Sequence, residues 1–339
     1  MESWTNASRS MAETGSRWEG SRPDGWALLK RNRPAMASLA FLAFVAIAAI
    51  VLPWFLPAAL KDTSSGTFLH PLEHSVGYPT VIHICGTDVN GQDLFYRLLT
   101  GAQVSLGIGL LGAILSLFVG TLYGMVSGFA GGRVDEFMMR VVDIIYSVPR
   151  ILFIMIFIAA LDGNIKGWLD GARLLFQTWQ WHGSENAMAV LLPYSRVMVM
   201  VFALGLVEWL TMARIVRGQV LVLREMAFVT AARAMGQSNW AILRKHLLPN
   251  LTTVVLTYLT LTIPSVILDE SFLSFLGLGI EAPAASWGSL LKDGAQVINP
   301  LDSKWWLLVF PAVLMSLSLL ALNFLGDGLR DAFDPKSGS

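Results

Sequence analysis

The stretch FVTAARAMGQSNWAILRKHLLPN, residues 228–250, places Ala231, Ala232 and Ala234 in one short run, then Gly236, then Ser238-Asn239, and closes on Pro249-Asn250. An Ala-rich run is a strong helix former, a glycine suits the residue just past a helix end, and Ser or Asn suits the cap of a following helix. The spacing predicts two short helices joined at Gly236, a compact knob whose small side chains let another surface approach closely. Spacing alone leaves two readings, an ordinary polar loop or a docking element. What decides the fold is the flanks: apolar stretches at about 190–212 and 251–268 border the knob. Each has roughly the 20 residues a helix needs to cross a hydrocarbon core about 30 Å thick.

Further stretches of the same kind lie at about 35–56, 104–129, 149–161 and 305–325, making six. The one at 149–161 is short, which places its start earlier, near Phe137. The composition agrees: 54% of the 339 residues are hydrophobic and only 14% charged, the balance of a membrane protein. No alternating ten-residue segments of a closed barrel occur, so the expected fold class is all-α, a polytopic bundle of six transmembrane helices. The first apolar run exceeds a signal peptide's core of about 7–15 residues and follows a long polar tail, so it reads as a retained anchor. The formal net charge is zero, which offers no basic field for nucleic acid. Cys85 is the single cysteine, too few for an internal disulfide or a zinc site.

Lys and Arg set the orientation. They crowd the N-terminal tail (Arg9, Arg17, Arg22, Lys30, Arg31, Arg33), the 2–3 loop (Arg133, Arg140) and the loop around the knob (Arg214, Arg217, Arg224, Arg233, Arg244, Lys245). Arg330 and Lys336 add to the C-terminal tail. The opposite loops hold fewer, so both termini and the knob are expected in the cytoplasm. Residues 1–22 are expected to be disordered, and Trp26, Leu28 and Leu29 to seat a short helix on the inner membrane surface.

Several residue patterns inside the bundle carry two readings each. Gly112, Ser116, Gly120, Gly124 and Gly128 fall four apart, a small-residue stripe that permits close helix packing in lipid or lines a transport path. Thr253, Thr257, Thr260 and Pro264 share a face of span 5; the hydroxyls either bond carbonyls of their own helix or line a polar conduit, and Pro264 predicts a kink or a local break. Asp269 and Glu270 follow: intramembrane acids are functional candidates, or at this depth both reach water as an interfacial anchor. Glu208 needs a partner on another helix or water, because Arg214 and Arg217 point away from it. Before span 2, Asn90-Gly91 marks a turn and Asp93 pairs with Arg97 one helical turn on. In the loop at 162–186, Trp168, Ala172, Leu175, Phe176 and Trp179 recur at helical spacing, predicting an amphipathic helix that seats on the membrane or meets a partner.

Catalytic signatures are missing from the sequence. His70, His74, His83, His182 and His246 show no metal-ligand spacing, and there is no nucleophile elbow and no GxxxxGK[ST] loop. The chain is therefore not expected to be an enzyme.

Ala231-Ala232-x3-Gly236 with Pro249-Asn250 resembles the "EAA" loop of ABC-importer permeases, their coupling helix. Further motifs resemble the oligopeptide/dipeptide permease family: Gly86-Thr87-Asp88-x2-Gly91-x-Asp93, Gly131-Gly132-x-Val134-Asp135 with Met139-Arg140, and Ala213-Arg214-x-Val216-Arg217-Gly218-Gln219. So do the run from Glu270 to Gly279 with Ser286-Trp287-Gly288, and Gly326-Asp327-Gly328-Leu329-Arg330-Asp331 with Asp334-Pro335. The resemblance covers about residue 25 to the end, nearest the C-type subunit of oligopeptide importers. It implies a type I importer fold, a second homologous permease chain, two ATP-binding subunits, an extracytoplasmic binding protein and a peptide substrate. ATP and Mg belong to the ATPase partners, and this chain is expected to hold no cofactor or metal. Contact with the ATPase would fall on Thr230, Ala231, Ala232, Arg233, Gly236, His246 and Pro249, and the translocation path on Thr253, Thr257, Thr260, Pro264 and Glu270. Thr230 stands where the family usually has Glu, and the 162–186 loop is longer than is usual.

The expected organisation is a tail with an interfacial helix at 1–34, a transmembrane domain at 35–325 and a tail at 326–339. Within the domain lie a coupling loop at 213–250 and outer loops at 57–100, 162–189 and 269–304. The location is the cytoplasmic (inner) membrane, multi-pass. Nickel-chelate or opine import is the alternative within the family. An ion-coupled secondary transporter or a membrane scaffold is the alternative outside it.

Overall fold

Asp93 starts a long helix: its Oδ1 accepts from the Tyr96 amide at 2.7 Å, capping a helix that runs from Leu94 to Ala130. The structure, a computed structural model, describes residues 25–57, 60, 69–75, 78–88, 90–178, 195–280, 284–299 and 302–333. Its helices are α1 (Gly25–Arg31), α2 (Arg33–Phe55), α3 (Leu94–Ala130), α4 (Gly132–Ser147), α5 (Arg150–Thr178), α6 (Ser195–Leu223), α7 (Ala227–Ala234), α8 (Asn239–Ile242), α9 (Leu248–Phe275), α10 (Trp287–Gln296) and α11 (Trp306–Phe333). Two small antiparallel pairs accompany them: β1 (Glu73–Ser75) with β2 (Tyr78–His83), and β3 (Ile298–Asn299) with β4 (Asp302–Ser303). Five helices are long and apolar enough to cross a membrane, and α4 with α5 makes a sixth if that bent pair is one span.

The bundle exposes what a soluble protein hides. On α2, Phe44 and Trp54 are 69% and 83% exposed, and contiguous apolar surface of this kind suits lipid contact. The most extensive packing joins α3 to α6, where most of the small-residue stripe lies. A Cβ on Gly120 would sit 2.6 Å from the Met212 Cβ, and one on Gly128 would sit 2.9 Å from the Arg217 carbonyl oxygen. A Cβ on Gly124 would strike the Ala213 carbonyl oxygen, while Gly112 faces Val266 of α9. Ser116 is fully buried in the same row. The stripe is a helix–helix seam, not an open path.

Two sequence expectations change here. Span 3 is not one helix begun at Phe137: α4 and α5 meet at 94°. Pro149 pushes Val148 to an extended conformation (φ −78°, ψ 133°), as a residue preceding proline favours. The amphipathic helix expected at 162–186 is not a separate element; α5 continues to Thr178, with Trp168 80% exposed, and Trp179 lies outside the described residues. Pro264 sits inside α9 without ending it. The disorder expected for residues 1–22 also falls outside the described residues.

The Asp93–Arg97 pair does not form either. Asp93 faces His83 (Nδ1 to Oδ2, 2.8 Å), and Arg97 pairs with Asp88 and reaches Asp293 at 3.4 Å. Capping the helix occupies Asp93, so Arg97 finds its carboxylates across the loop. Trp306 closes this region by donating from Nε1 to the Thr87 carbonyl at 3.3 Å.

Candidate functional site

α7 and α8 form the predicted knob, with one change in design. Gly236 takes φ +76° after α7, a conformation L side chains disfavour, and Ser238 Oγ accepts from the Ala241 amide at 3.3 Å to cap α8. The second helix is not a separate short piece. α8 passes through a π-helical turn, Leu243–Leu247, straight into α9, so the knob's second half is the base of a membrane-spanning helix. Pro249 lies at the start of α9, directly after the π-helical turn.

The knob has an inner and an outer face. Val229, Ala232, Ile242 and Leu247 are fully buried and join Val216, Val220 and Leu251 in one apolar cluster. Ala232 therefore fixes the knob to the bundle and is not available to a partner, contrary to the expectation that placed it in the contact. The outer face carries Thr230, Ala231, Ala234, Met235 (71% exposed) and Trp240 (61% exposed). Arg233 stacks over the Phe129 ring at 5.1 Å, and His246 Nε2 lies 2.9 Å from Gln237 Oε1. These contacts tie the knob to the end of α3 and to the π-helical turn.

Below the knob a charged seam holds α4 against α6. Arg217 donates from Nε and Nη2 to the two carboxylate oxygens of Asp135, each at 2.6 Å, and Ser127 adds a bond to Asp135 at 2.5 Å. Arg214 reaches Asp143 at 2.7 Å, and Arg224 donates to the Gly128 carbonyl at 3.0 Å.

Two of the threonine hydroxyls of α9 bond carbonyls of their own helix. Thr257 donates to the Thr253 carbonyl at 2.9 Å and Thr260 to the Thr257 carbonyl at 2.7 Å. Thr253 and Thr257 also line a cavity of about 260 Å³ with Gln219, Tyr258 and Arg330. Arg330 lies near the end of α11, and Gly328 beside it packs on Ala35 of α2. Both ends of the described chain therefore sit at the knob end of the bundle.

Glu270 does not line a path. It is fully buried, and its carboxylate accepts from Ser274 at 2.7 Å, Ser105 at 3.1 Å and Ser271 at 3.3 Å. Ser105 in turn accepts from the Trp287 amide at 3.1 Å, so Glu270 locks α3, α9 and α10 together. Its neighbour Asp269 faces the other way, toward Arg150, which also binds Glu208. The expectation that Asp269 and Glu270 both reach water as an anchor fails for Glu270, which is caged by serines, while Asp269 is 23% exposed beside Arg150. The partner required for Glu208 is Arg150, on another helix.

Residues 120–338 match the family described as "Binding-protein-dependent transport system inner membrane component". This chain belongs to that family. Residues 23–71 match a second description, "N-terminal TM domain of oligopeptide transport permease C". The chain is 40% identical to the oligopeptide transport system permease protein OppC of Haemophilus influenzae, over 90% of this chain and 86% of that one. It is 37% identical to the dipeptide transport system permease protein DppC of Bacillus subtilis, over 92% and 85%. The OppC protein of Escherichia coli is 38% identical over 90% and 88%. A solved structure of the MetNI methionine ABC transporter aligns at a TM-score of 0.49 and 16% identity, over 71% of this chain and 97% of that one. The family is a transport permease family, so the chain is the multi-pass membrane component of a transporter.

Two features of this permease are not expected from the sequence. They are the pairing of Arg150 with two acids and the Asp135–Arg217 pair. A signal for the first is present: a lone Arg opening an apolar helix requires acids from other helices, and Glu208 and Asp269 are among the few at such depth.

Proposed function

We propose that this chain is one of two permease subunits of an ATP-driven importer that carries peptides inward across the cytoplasmic membrane. Two ATP-binding subunits would dock under the permease pair, and an extracytoplasmic binding protein would deliver peptide. ATP and Mg would reside on the ATPase partners. The observation that carries this reading is the knob, exposed on its outer face and continuous through α8 with the α9 span. ATP-driven closure of the ATPases would move α7, and because the knob is packed on α6 and built into α9, the motion passes to the bundle as a rigid-body switch. The permease's contribution is to bind the two ATPase states with different affinity.

The crowding of Lys and Arg at the knob end supports cytoplasmic termini and a cytoplasmic knob. Contact with the ATPase falls to Thr230, Ala231, Arg233 and Gly236, with Ala232, His246 and Pro249 as the base. The path is assigned to the Thr253–Thr257–Thr260 face of α9. Peptide as the substrate class is supported by the relatives, which are named as oligopeptide and dipeptide permeases. Uptake of a labelled peptide in cells lacking this chain tests it: uptake should fall to background. Unchanged peptide uptake with loss of nickel uptake would overturn the substrate assignment.

A further inference from the structure

Arg330, near the end of α11, lines the cavity of about 260 Å³ beside the threonine face of α9. The rest of the lining is Gln219 of α6 with Thr253, Val254, Thr257, Tyr258 and Leu261 of α9. Gly326 lets α11 approach α9 here: a Cβ at that position would sit 3.2 Å from Thr260 Oγ1 and 3.5 Å from Leu261 Cδ2. Residues four apart share a helix face, so Arg330 extends from the same contact. At about 1.5 Å per residue, Thr253 lies about 8 Å and Leu261 about 20 Å along α9 from its start at Leu248. The cavity therefore lies at the knob end of the bundle.

The lining itself says what chemistry the cavity takes. Arg330 is its one charged residue, no acid stands in the wall, and Arg330 is in no ion pair among the described residues. The side chains of Gln219, Thr253 and Tyr258 also bond no described residue, whereas Thr257 and Thr260 donate to carbonyls of α9. A guanidinium, an amide and two hydroxyls thus line one space with their donors unclaimed. This set suits a carboxylate, whose two oxygens match the planar fork of an arginine. Val254 and Leu261 supply an apolar flank. Pockets that enclose a whole drug-sized ligand hold about 300–1,000 Å³, so a space of about 260 Å³ takes one end of a chain molecule and not the whole.

We propose that the Arg330 cavity receives the C-terminal carboxylate of a peptide on its way to the cytoplasm. This rests on the peptide-permease reading, with the threonine face of α9 as the path, and deepens it. Arg330 pairs with the carboxylate, Gln219, Thr253 and Tyr258 complete its hydrogen bonds, and Val254 and Leu261 pack against the last side chain of the peptide. Two of the three helices in the wall answer directly to the knob: α9 continues from it and α6 packs on it. Movement of the knob therefore reshapes the cavity and lets the carboxylate go.

The test uses the complete transporter in proteoliposomes, with its binding protein saturated. Uptake of trialanine is compared with that of trialanine amide, which lacks the terminal carboxylate. The quantity read is the ratio of the two rates, free acid over amide, in wild type and in Arg330→Gln. The binding protein is the same in both, so its own preference cancels. Loss of a charged pair still open to water should lower the ratio about fivefold. An equal ratio in wild type and Arg330→Gln overturns the carboxylate site while leaving the peptide-permease reading standing. A lipid phosphate held in the cavity gives that same outcome, because its loss slows both peptides alike. If Arg330→Gln carries neither peptide, Tyr258→Phe, which removes one donor, is read the same way: a lowered ratio supports the site and an unchanged one overturns it. If the wild-type transporter carries neither peptide, the peptide-permease reading itself fails.

Discussion

Gln237 Oε1 and His246 Nε2 lie 2.9 Å apart, joining the turn after α7 to the π-helical turn that feeds α9. On the proposed docking, the bond spans the point where force from an ATP-binding subunit would pass into a membrane helix. Gln237→Ala should therefore lower transport per ATP hydrolysed while leaving the spans folded. Removing a neutral hydrogen bond costs about 1 kcal/mol, so the melting temperature should move little. Parallel measurement of uptake and ATPase rate in proteoliposomes checks this; an unchanged ratio would remove this bond from the coupling route.

Gly236→Val attacks the same turn through the backbone. Position 236 has φ +76° and open space where a side chain would project, so the penalty is conformational and not steric contact. A β-branched residue there should cost about 1–3 kcal/mol and detach α7 from its seat. Coupled uptake should fall several-fold while membrane insertion, read by protease protection, stays normal.

The α3–α6 seam gives a packing prediction with a built-in control. Gly120→Leu places atoms where Met212 Cβ and the Trp209 carbonyl already lie, 2.6 and 2.7 Å from the first added carbon. Overpacking of this kind costs about 1–3 kcal/mol or more. Gly107→Ala, on the same helix with nothing within 4 Å, should be neutral. Thermal stability in detergent should separate the two; equal stability would dismantle the seam.

Asp135→Ala strips Arg217 of both its 2.6 Å bonds. Loss of such a charged, bidentate pair should cost about 3 kcal/mol, seen as a lower melting temperature. The exchange Asp135→Arg with Arg217→Asp should recover part of it. No recovery would mean that surrounding groups such as Ser127 and Arg224, and not the pair, dominate.

Cys85 gives a chemical check on the far-end loop. Burial pushes its thiol from 9.0 up to about 11, with the Asp93 carboxylate adding to the rise. The thiolate fraction near neutral pH then falls about 100-fold, and maleimide labelling of the folded protein should slow at least that much relative to the denatured chain. The sign follows for stability too: a raised thiol contributes stability present below its ordinary value and lost as pH rises through about 11. Fast labelling of the native protein would mean that the loop region around Trp306 is open.

Local chemistry makes much of this legible in advance. Apolar runs mark the spans, Ala231 to Ser238 mark the knob with its glycine turn and serine cap, and four-residue spacing marks the glycine seam. What stays hidden is long-range. Adjacent residues on a helix point about 100° apart, so Asp269 and Glu270 look alike in sequence, yet one meets Arg150 and the other a cage of serines. Arg97 has an attractive neighbour in Asp93, but that carboxylate is committed to capping α3 and facing His83. Pro149 marks a boundary, but the 94° turn depends on how α5 packs against α6. Ala232 looks suited to a partner's groove because small residues serve inner and outer faces equally well.

Docking of an ATP-binding subunit on the outer face of the knob is directly measurable. The direct measurement is site-directed cross-linking in the assembled transporter, in a Cys85→Ala background. Met235→Cys, 71% exposed on the knob, is compared with Leu72→Cys, 70% exposed beside β1 in the loop before α3. The expected result is a cross-link from position 235 to the ATP-binding subunit that changes in yield with added ATP, and none from position 72. A cross-link from 72 and not from 235 would contradict it.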